Sequence, residues 1–385
     1  MPVTVRTTKS FIPNSYRYKT RRQDEEEGSF QKFSQYIPSR LLVKLGKVVL
    51  IVGITCLAVL LGQFVSNVLK SFAKISSDTE TLTASKQFER PLRYAIKRRD
   101  QKVERLNSDR ITKIRQQCTG SEKSEPKVLT SYQKKNLYSR IFVDHKHRFA
   151  YCSVPKAACT KWKQILLKSS EIPLYENEDI ETIFPHWDHQ FKRLSDLDTI
   201  KALQVLDQYY TFTFVRDPLV RLVSAWRDKF QHHSNENRSD YVSFHQQYGR
   251  AIIKKFRRSF TQEELDRGFP VTFTEYISYI TSFKNVEEMN EHWIPATTIC
   301  RPCHVTYNFV GKFENQKEES EYLINKLNLN NYVPDNFFRQ VGNSSREEAK
   351  VLLGGVSEEK KRILVKFYRD DAAFFGYDLN EFLRV

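Results

Sequence analysis

Two short segments constrain this chain more than any others: Val154-Pro-Lys-Ala-Ala-Cys-Thr-Lys-Trp162 and Phe214-Val-Arg-Asp-Pro-Leu-Val-Arg-Leu-Val-Ser224. Each stands where an apolar, aromatic or β-branched run gives way to a helical pattern. Phe149 to Cys152 precedes the first, and Thr160 to Leu167 reads as the helix after it; Tyr209 to Val215 precedes the second, and Leu222 to Phe230 follows. A strand feeding a helix points unsatisfied backbone N–H groups and the positive dipole end at one spot, where an anion is stabilised. Two such turns in one domain predict a ligand with phosphate at both ends. The side chains agree. Lys156 brings a mobile point charge and Thr160 a hydroxyl, Arg216 a planar fork for bidentate contact, and Ser224 a further donor. Each turn alone has a plainer reading, as a Pro-Lys turn or as a helix start with Pro218 near its first position. Their occurrence together, in this order and each after a strand, is the specific signal.

The rest of the 385 residues arranges itself around that pair. Val48 to Val65 is almost wholly apolar, interrupted only by Gly53, Thr55, Gly62 and Gln63, and reads as an uncleaved membrane anchor. Arg40, Lys44 and Lys47 crowd its N-terminal side, so the positive-inside bias puts residues 1–47 in the cytosol and the remainder in a lumen. Residues 66–137 are polar and poor in aromatics; Ile96 to Gln117 is rich in helix formers, and the stretch reads as a helical stem lifting residues 138–385 off the membrane. Of the net charge of +16, the tail holds ten Lys and Arg against four Asp and Glu. The surplus that remains suits a polyanionic partner, with Lys254-Lys-Phe-Arg-Arg258 either a docking patch or a solvated helix face. Nucleic acid as that partner sits badly with an anchor and a lumenal address.

Six cysteines are too few for a disulfide scaffold. Cys56 falls in the apolar span, leaving five on the lumenal side, so at least one has no internal partner. Cys300-Arg-Pro-Cys303 is half of a zinc pattern with no second half, and a structural disulfide with unassigned partners is the better reading. Asn237-Arg-Ser239 and Asn343-Ser-Ser345 are glycosylation acceptors if this part is lumenal. Strands near Phe149–Val154, Tyr209–Val215 and Val305–Val310 alternate with helices at Thr160–Leu167, Leu222–Phe230, Glu319–Leu327 and Glu358–Tyr368. That alternation predicts an α/β domain with a parallel sheet, helices on its faces and ligands at the strand carboxyl ends.

The run Cys152 to Lys163 and the run Val215 to Phe230 resemble the Golgi carbohydrate sulfotransferases, in particular the branch of chondroitin, dermatan and HNK-1 enzymes. Asn290-Glu-His-Trp293, Cys300-Arg-Pro-Cys303, Tyr307 to Glu314 and Phe374-Phe-Gly-Tyr377 carry the same resemblance, which spans roughly Tyr138 to Leu383. Ala157-Ala158 stands where the soluble sulfotransferases have a Gly-containing loop, as in the Golgi branch. The resemblance implies the sulfotransferase fold, which is P-loop-like, and 3′-phosphoadenylyl sulfate as donor. It implies that Pro155, Lys156, Ala157, Ala158, Cys159, Thr160 and Lys161 hold the 5′-phosphosulfate. Arg216, Asp217, Pro218, Arg221 and Ser224 would then hold the 3′-phosphate.

Sulfuryl transfer needs positioning, positive charge at the leaving oxygen and a base for the acceptor hydroxyl. Lys156 is the expected leaving-group partner. Trp162 and Trp226 read as core residues. The expected base is His186, within Phe184-Pro-His-Trp-Asp-His189, with His292 the alternative. No metal is required. Asp196-Leu-Asp198 matches a glycosyltransferase D-x-D, although Asp198 also reads as a helix N-cap. No P-loop G-x-x-x-x-G-K-[ST] occurs, which disfavours a P-loop kinase. The acceptor implied is a glycan, first the 4-hydroxyl of N-acetylgalactosamine in chondroitin, with HNK-1-type glucuronic acid 3-O-sulfation the nearest alternative. A silent, anchored binder of acidic glycans is the competing non-enzyme reading. Residues 231–295 are expected to set specificity.

Overall fold

A computed structural model describes residues 39–119, 128–170, 179–180, 191–231, 239–342 and 344–382. The chain divides into two compact units, residues 1–89 and residues 90–385. In the first, the described residues form the N-terminal part of one long helix, α1 (Ser39–Thr119). Lys47–Ser71 of that helix has a mean hydropathy of 2.6 and is long and apolar enough to cross a bilayer. Its side chains from Val48 to Val65 stand exposed on every face. An apolar surface all round a helix calls for lipid or protein around it.

The second unit is built on a sheet in the order β1 (Ile141–Asp144), β2 (Phe149–Cys152), β3 (Tyr210–Val215), β4 (Phe309–Lys312). β2, β3 and β4 are parallel, whereas β1 pairs antiparallel with β2. The sheet is therefore mixed, not purely parallel. The turn from His145 to Arg148 is far too short for a crossover helix, so the two strands that it joins fold back as a hairpin. The fourth strand also begins later than Val305. The Val305 N–H turns back to the Arg301 carbonyl at 3.1 Å, and the ladder opens only at Phe309.

Helices cover the sheet, so its strands are buried and read as near-continuous apolar runs. Tyr151 stacks on Phe212 at 5.0 Å, and Trp162 meets Phe212 edge-on at 4.7 Å. Trp162 is a core residue, on α3 (Cys159–Ser169). A second core gathers Leu222 and Trp226 of α5 (Pro218–Trp226) with Ile252, Ile277, Trp293 and Tyr368. The Trp226 indole donates to the Val271 carbonyl at 3.0 Å. Between them, α4 (Thr199–Gln208) connects back to β3. Before β1, α2 (Ser131–Arg140) starts on a Thr130–Gln133 capping box.

The segment expected to be a spacer is divided. Residues 90–119 of α1 belong to the second unit, where Val103 and Ile114 are buried and Arg110 forms two hydrogen bonds to the Glu319 carboxylate, at 2.7 and 2.9 Å. Asn107 accepts from the Val310 N–H at 2.9 Å and donates to the Asn308 carbonyl at 2.8 Å. Its amide thus continues the ladder beyond the edge strand β4 and covers that edge. One disulfide, Cys118–Cys303, ties the same region down, and a second, Cys152–Cys300, joins the end of β2 to the helical turn Ala296–Cys300. The Cys300 and Cys303 sulfurs each reach a distant partner, and Cys159 is the unpaired thiol of the five, buried.

Candidate active site

β2 ends at Cys152, whose carbonyl accepts from the Thr213 hydroxyl at 2.9 Å, locking β2 to β3 just before both turns. The chain then turns through Pro155–Ala158 into α3. Lys156 and Ala158 both adopt left-handed backbone, with φ of 68° and 64°. For residues with a Cβ this costs roughly 1–2 kcal/mol each. Ala158 stands at the N-cap of α3 and makes no side-chain cap bond, so the helix start keeps its positive end for a ligand. Thr160 and Lys161 follow on the first turn, both half-buried, with Pro155, Ala157 and Cys159 buried beneath them.

The second turn lies directly against the first. Arg216, 6% exposed at the end of β3, donates from Nη1 to the Lys156 carbonyl at 3.3 Å. Its guanidinium lies 4.3 Å from the centre of the Phe313 ring. Burial draws its pKa down to about 10 against the nearby Glu314 charge, and it remains a cation at neutral pH. Asp217, which the resemblance places at the same turn, is held by contacts within the protein. Its Oδ1 accepts from the Leu219 and Val220 N–H groups, and its Oδ2 pairs with Arg346 at 2.8 Å. Its own N–H donates to Glu314 at 2.9 Å, so Asp217 is the buried N-cap of α5, with Pro218 at the first helical position. Arg221, the next residue implied for the 3′-phosphate, is likewise held inside the protein. It is 1% exposed, and its guanidinium donates to the backbone carbonyls of His292 and Ile294. Arg221 thus fastens the segment that carries His292. Ser224 is half-buried further along α5.

Beyond α5 the helix widens into a π turn, Arg227–Gln231, which presents Asp228 and Lys229 to the first turn. Asp228 lies 3.4 Å from Lys156 Nζ and 3.5 Å from Lys229 Nζ, and accepts from the Tyr241 hydroxyl at 2.9 Å. Burial alone would raise its pKa; the two ammonium groups and that hydroxyl outweigh it and hold the carboxylate below its ordinary range. Lys156 is itself lowered by burial, with Asp228 opposing the shift.

His292 completes the group. Asn290 Oδ1 accepts the His292 backbone N–H at 3.0 Å and lies 2.7 Å from its Nδ1, while Asn290 Nδ2 donates to the Tyr248 hydroxyl at 2.9 Å. An oxygen that already accepts one N–H meets Nδ1 as a second donor, which leaves Nε2 with the lone pair. Burial first, then the Lys229 and Lys156 charges, push the imidazolium form well below 6.5. His292 is therefore neutral, with Nε2 basic, beside Lys156.

His186, Asn237 and Asn343 lie outside the described residues. The D-x-D carboxylates are both taken up as caps, Asp196 on the Arg193 N–H and Asp198 on the Lys201 N–H, each at 2.9 Å. Among the described residues no group of three or more His, Cys, Asp or Glu is placed to hold a metal. Of the basic cluster, Arg257 is taken by Glu275 and Glu264 at 2.7 and 3.0 Å, while Lys254, Lys255 and Arg258 are exposed. Asp228, Lys229, Asn290, Glu314 and Tyr377 were missed as site residues. All five lie within sequence motifs already singled out, which was the available signal; Tyr377 donates to Glu314 at 3.0 Å and so supports the Asp217 turn.

Comparison with known proteins agrees with this geometry. The profile of the sulfotransferase family matches residues 139–378. Carbohydrate sulfotransferase 11 of Rattus norvegicus is 32% identical over 253 residues, 65% of this chain and 70% of the relative. Carbohydrate sulfotransferase 14 of Danio rerio is 33% identical over 256 residues, 65% of each chain. Carbohydrate sulfotransferase 9 of Homo sapiens is 34% identical over 248 residues, 62% of this chain and 53% of the relative. No solved structure matches the chain. With the family profile spanning both turns, the π turn and the His292 segment, the chain belongs to the sulfotransferase family, among its carbohydrate sulfotransferases.

Proposed function

We propose that the two turns form one cradle for 3′-phosphoadenylyl sulfate, and that the chain transfers its sulfuryl group to the 4-hydroxyl of N-acetylgalactosamine in chondroitin. The observation that carries the donor half is the contact of Arg216 Nη1 with the Lys156 carbonyl, which makes two separate strand-to-helix turns a single cationic wall. The chemistry of the residues fits a doubly phosphorylated nucleotide. Lys156, Lys161 and the uncapped start of α3 suit the phosphosulfate end, and Arg216 with Ser224 suits the 3′-phosphate. The acceptor half rests on the resemblance to the chondroitin branch and on relatives named as carbohydrate sulfotransferases.

When bound, the donor supplies a sulfuryl group whose bond to the phosphate oxygen breaks as the acceptor oxygen attacks sulfur. The chain positions both partners and balances their charge. Lys156 Nζ, held at rest by Asp228, neutralises the negative charge growing on the departing phosphate oxygen. His292 Nε2 takes the acceptor proton, and its Nδ1–H bond to Asn290 keeps the ring oriented as it does so. The Asp228 charge favours the imidazolium that forms, while the Lys229 and Lys156 charges oppose it and so help to return the ring to neutral. Residues 1–47 would lie in the cytosol and the catalytic unit in the Golgi lumen, an oxidising compartment that suits two disulfides.

Labelled donor and a panel of chondroitin, desulfated dermatan, HNK-1 precursor and heparosan, followed by disaccharide analysis, test the reading. Label at the 4-position of N-acetylgalactosamine is expected. Transfer confined to heparosan or to the HNK-1 precursor would overturn the acceptor, and glycan binding without transfer would overturn the enzyme.

A further inference from the structure

Beside the Lys156–His292 centre lies a second group of cations that the transfer step does not use. Arg140 ends α2, Lys163 stands on α3 one turn after Cys159, and Arg193 bridges to Phe142 of β1. Lys163 Nζ and the Arg193 guanidinium lie 5.2 and 5.5 Å from the centre of the same Phe142 ring. Burial lowers the basicity of both Arg140 and Lys163; the neighbouring cations add to that shift and Cys159 opposes it. Among the described residues one carboxylate answers the three: Glu291, paired with Arg140. The Arg193 Nε is buried without a hydrogen-bond partner among the described residues. Like charges held together in a partly desolvated place are costly unless an anion completes them.

Their position ties them to the reacting centre. Glu291 immediately precedes His292, and the Arg140 charge acts on the His292 ring. The Arg140 carbonyl accepts from the Ser153 N–H at 2.9 Å, just ahead of the Pro155–Ala158 turn. An acceptor sugar with its hydroxyl at His292 therefore has a neighbouring residue of its chain within reach of the cluster.

We propose that Arg140, Lys163 and Arg193 form an anion subsite for the carboxylate or sulfate ester of the sugar next to the one being sulfated. This rests on the sulfotransferase reading for the identity of the ligand, though not for its charge. Lys163 and Arg193 offer the free donors; Arg140 shares its charge with Glu291 and fixes the floor of the subsite.

The test uses the full chain in detergent and fluorescence anisotropy with three labelled oligosaccharides: chondroitin (carboxylate only), carboxyl-reduced 4-sulfated chondroitin (sulfate ester only), and carboxyl-reduced chondroitin (neither). The double variant Lys163→Gln/Arg193→Gln spares the Arg140–Glu291 pair, and binding of adenosine 3′,5′-bisphosphate reports that the fold and the donor cradle persist. At least tenfold weaker binding of one charged oligosaccharide is expected, with less than twofold change for the neutral one. Whichever charged arm is lost names the anion. Equal loss on the neutral oligosaccharide, no loss on either charged one, or loss of nucleotide binding with it would overturn the subsite. Charge-selective loss in the double variant, together with a wild-type chain that transfers no sulfate, would uphold the subsite and refute the transfer reading.

Discussion

His292 is held neutral by identifiable atoms, and this yields the first prediction. Substituting His292 by Gln should lower kcat by about 10²–10⁴-fold while leaving nucleotide affinity unchanged, as expected for loss of a positioned base. Near-normal turnover in that variant, together with loss in His186→Ala, would move the role to His186. Because the His292 pKa is depressed by burial and by Lys229 and Lys156, the base stays unprotonated as the pH falls through 6.5. The acid limb of the kcat/KM profile should therefore lie below pH 6.5, and an acid limb above that value would contradict the assignment. At Ala158, whose φ is 64°, glycine removes the Cβ penalty. Ala158→Gly should raise stability by about 1 kcal/mol, read as a higher Tm. The placement of Lys156 and Arg216 on strand-to-helix turns was legible in the sequence because it is a local pattern. The roles of Arg221 and Asp217 were not, because the carbonyls of His292 and Ile294 and the Arg346 fork come from far along the chain.

At the scale of elements, the strands and helices around both turns follow the periodicity of the sequence closely. Three features do not. The antiparallel β1 depends on a hairpin whose four strand residues are too few to show a period. The π turn reads as ordinary helix, since one extra residue per turn leaves no compositional mark. The Ile96–Gln117 stretch looks like a spacer because few of its residues are apolar, yet polar Asn107 and Arg110 do the packing against β4 and Glu319. Cysteine partners 185 and 148 residues apart are equally invisible to local reading. A chain begun at residue 138 loses Arg110 and leaves Glu319, 1% exposed, without its partner. Removing one partner of a buried pair costs about 3–5 kcal/mol. That fragment should unfold or aggregate, whereas one begun at residue 90 should melt cooperatively, as followed by circular dichroism.

For the whole molecule, the two units have different surfaces to satisfy. Lys47–Ser71 presents apolar side chains and needs lipid or a partner around it. The second unit buries its strands and brings a group of its cations to the two strand-to-helix turns and their surroundings. Lys156, Lys229, Arg216, Lys163, Arg193 and Arg140 come from four separate stretches of chain and meet only because β2 and β3 lie side by side. Composition announced the surplus of positive charge without its location. The convergence of the two turns on one nucleotide is the central claim, and calorimetry with the full chain tests it most directly. Wild type should bind adenosine 3′,5′-bisphosphate at least a hundredfold more tightly than adenosine 5′-monophosphate, about 2.7 kcal/mol, and Arg216→Gln should abolish most of that difference with little effect on the monophosphate. If Arg216→Gln keeps the full preference, or weakens both nucleotides equally, the two turns do not form one donor cradle.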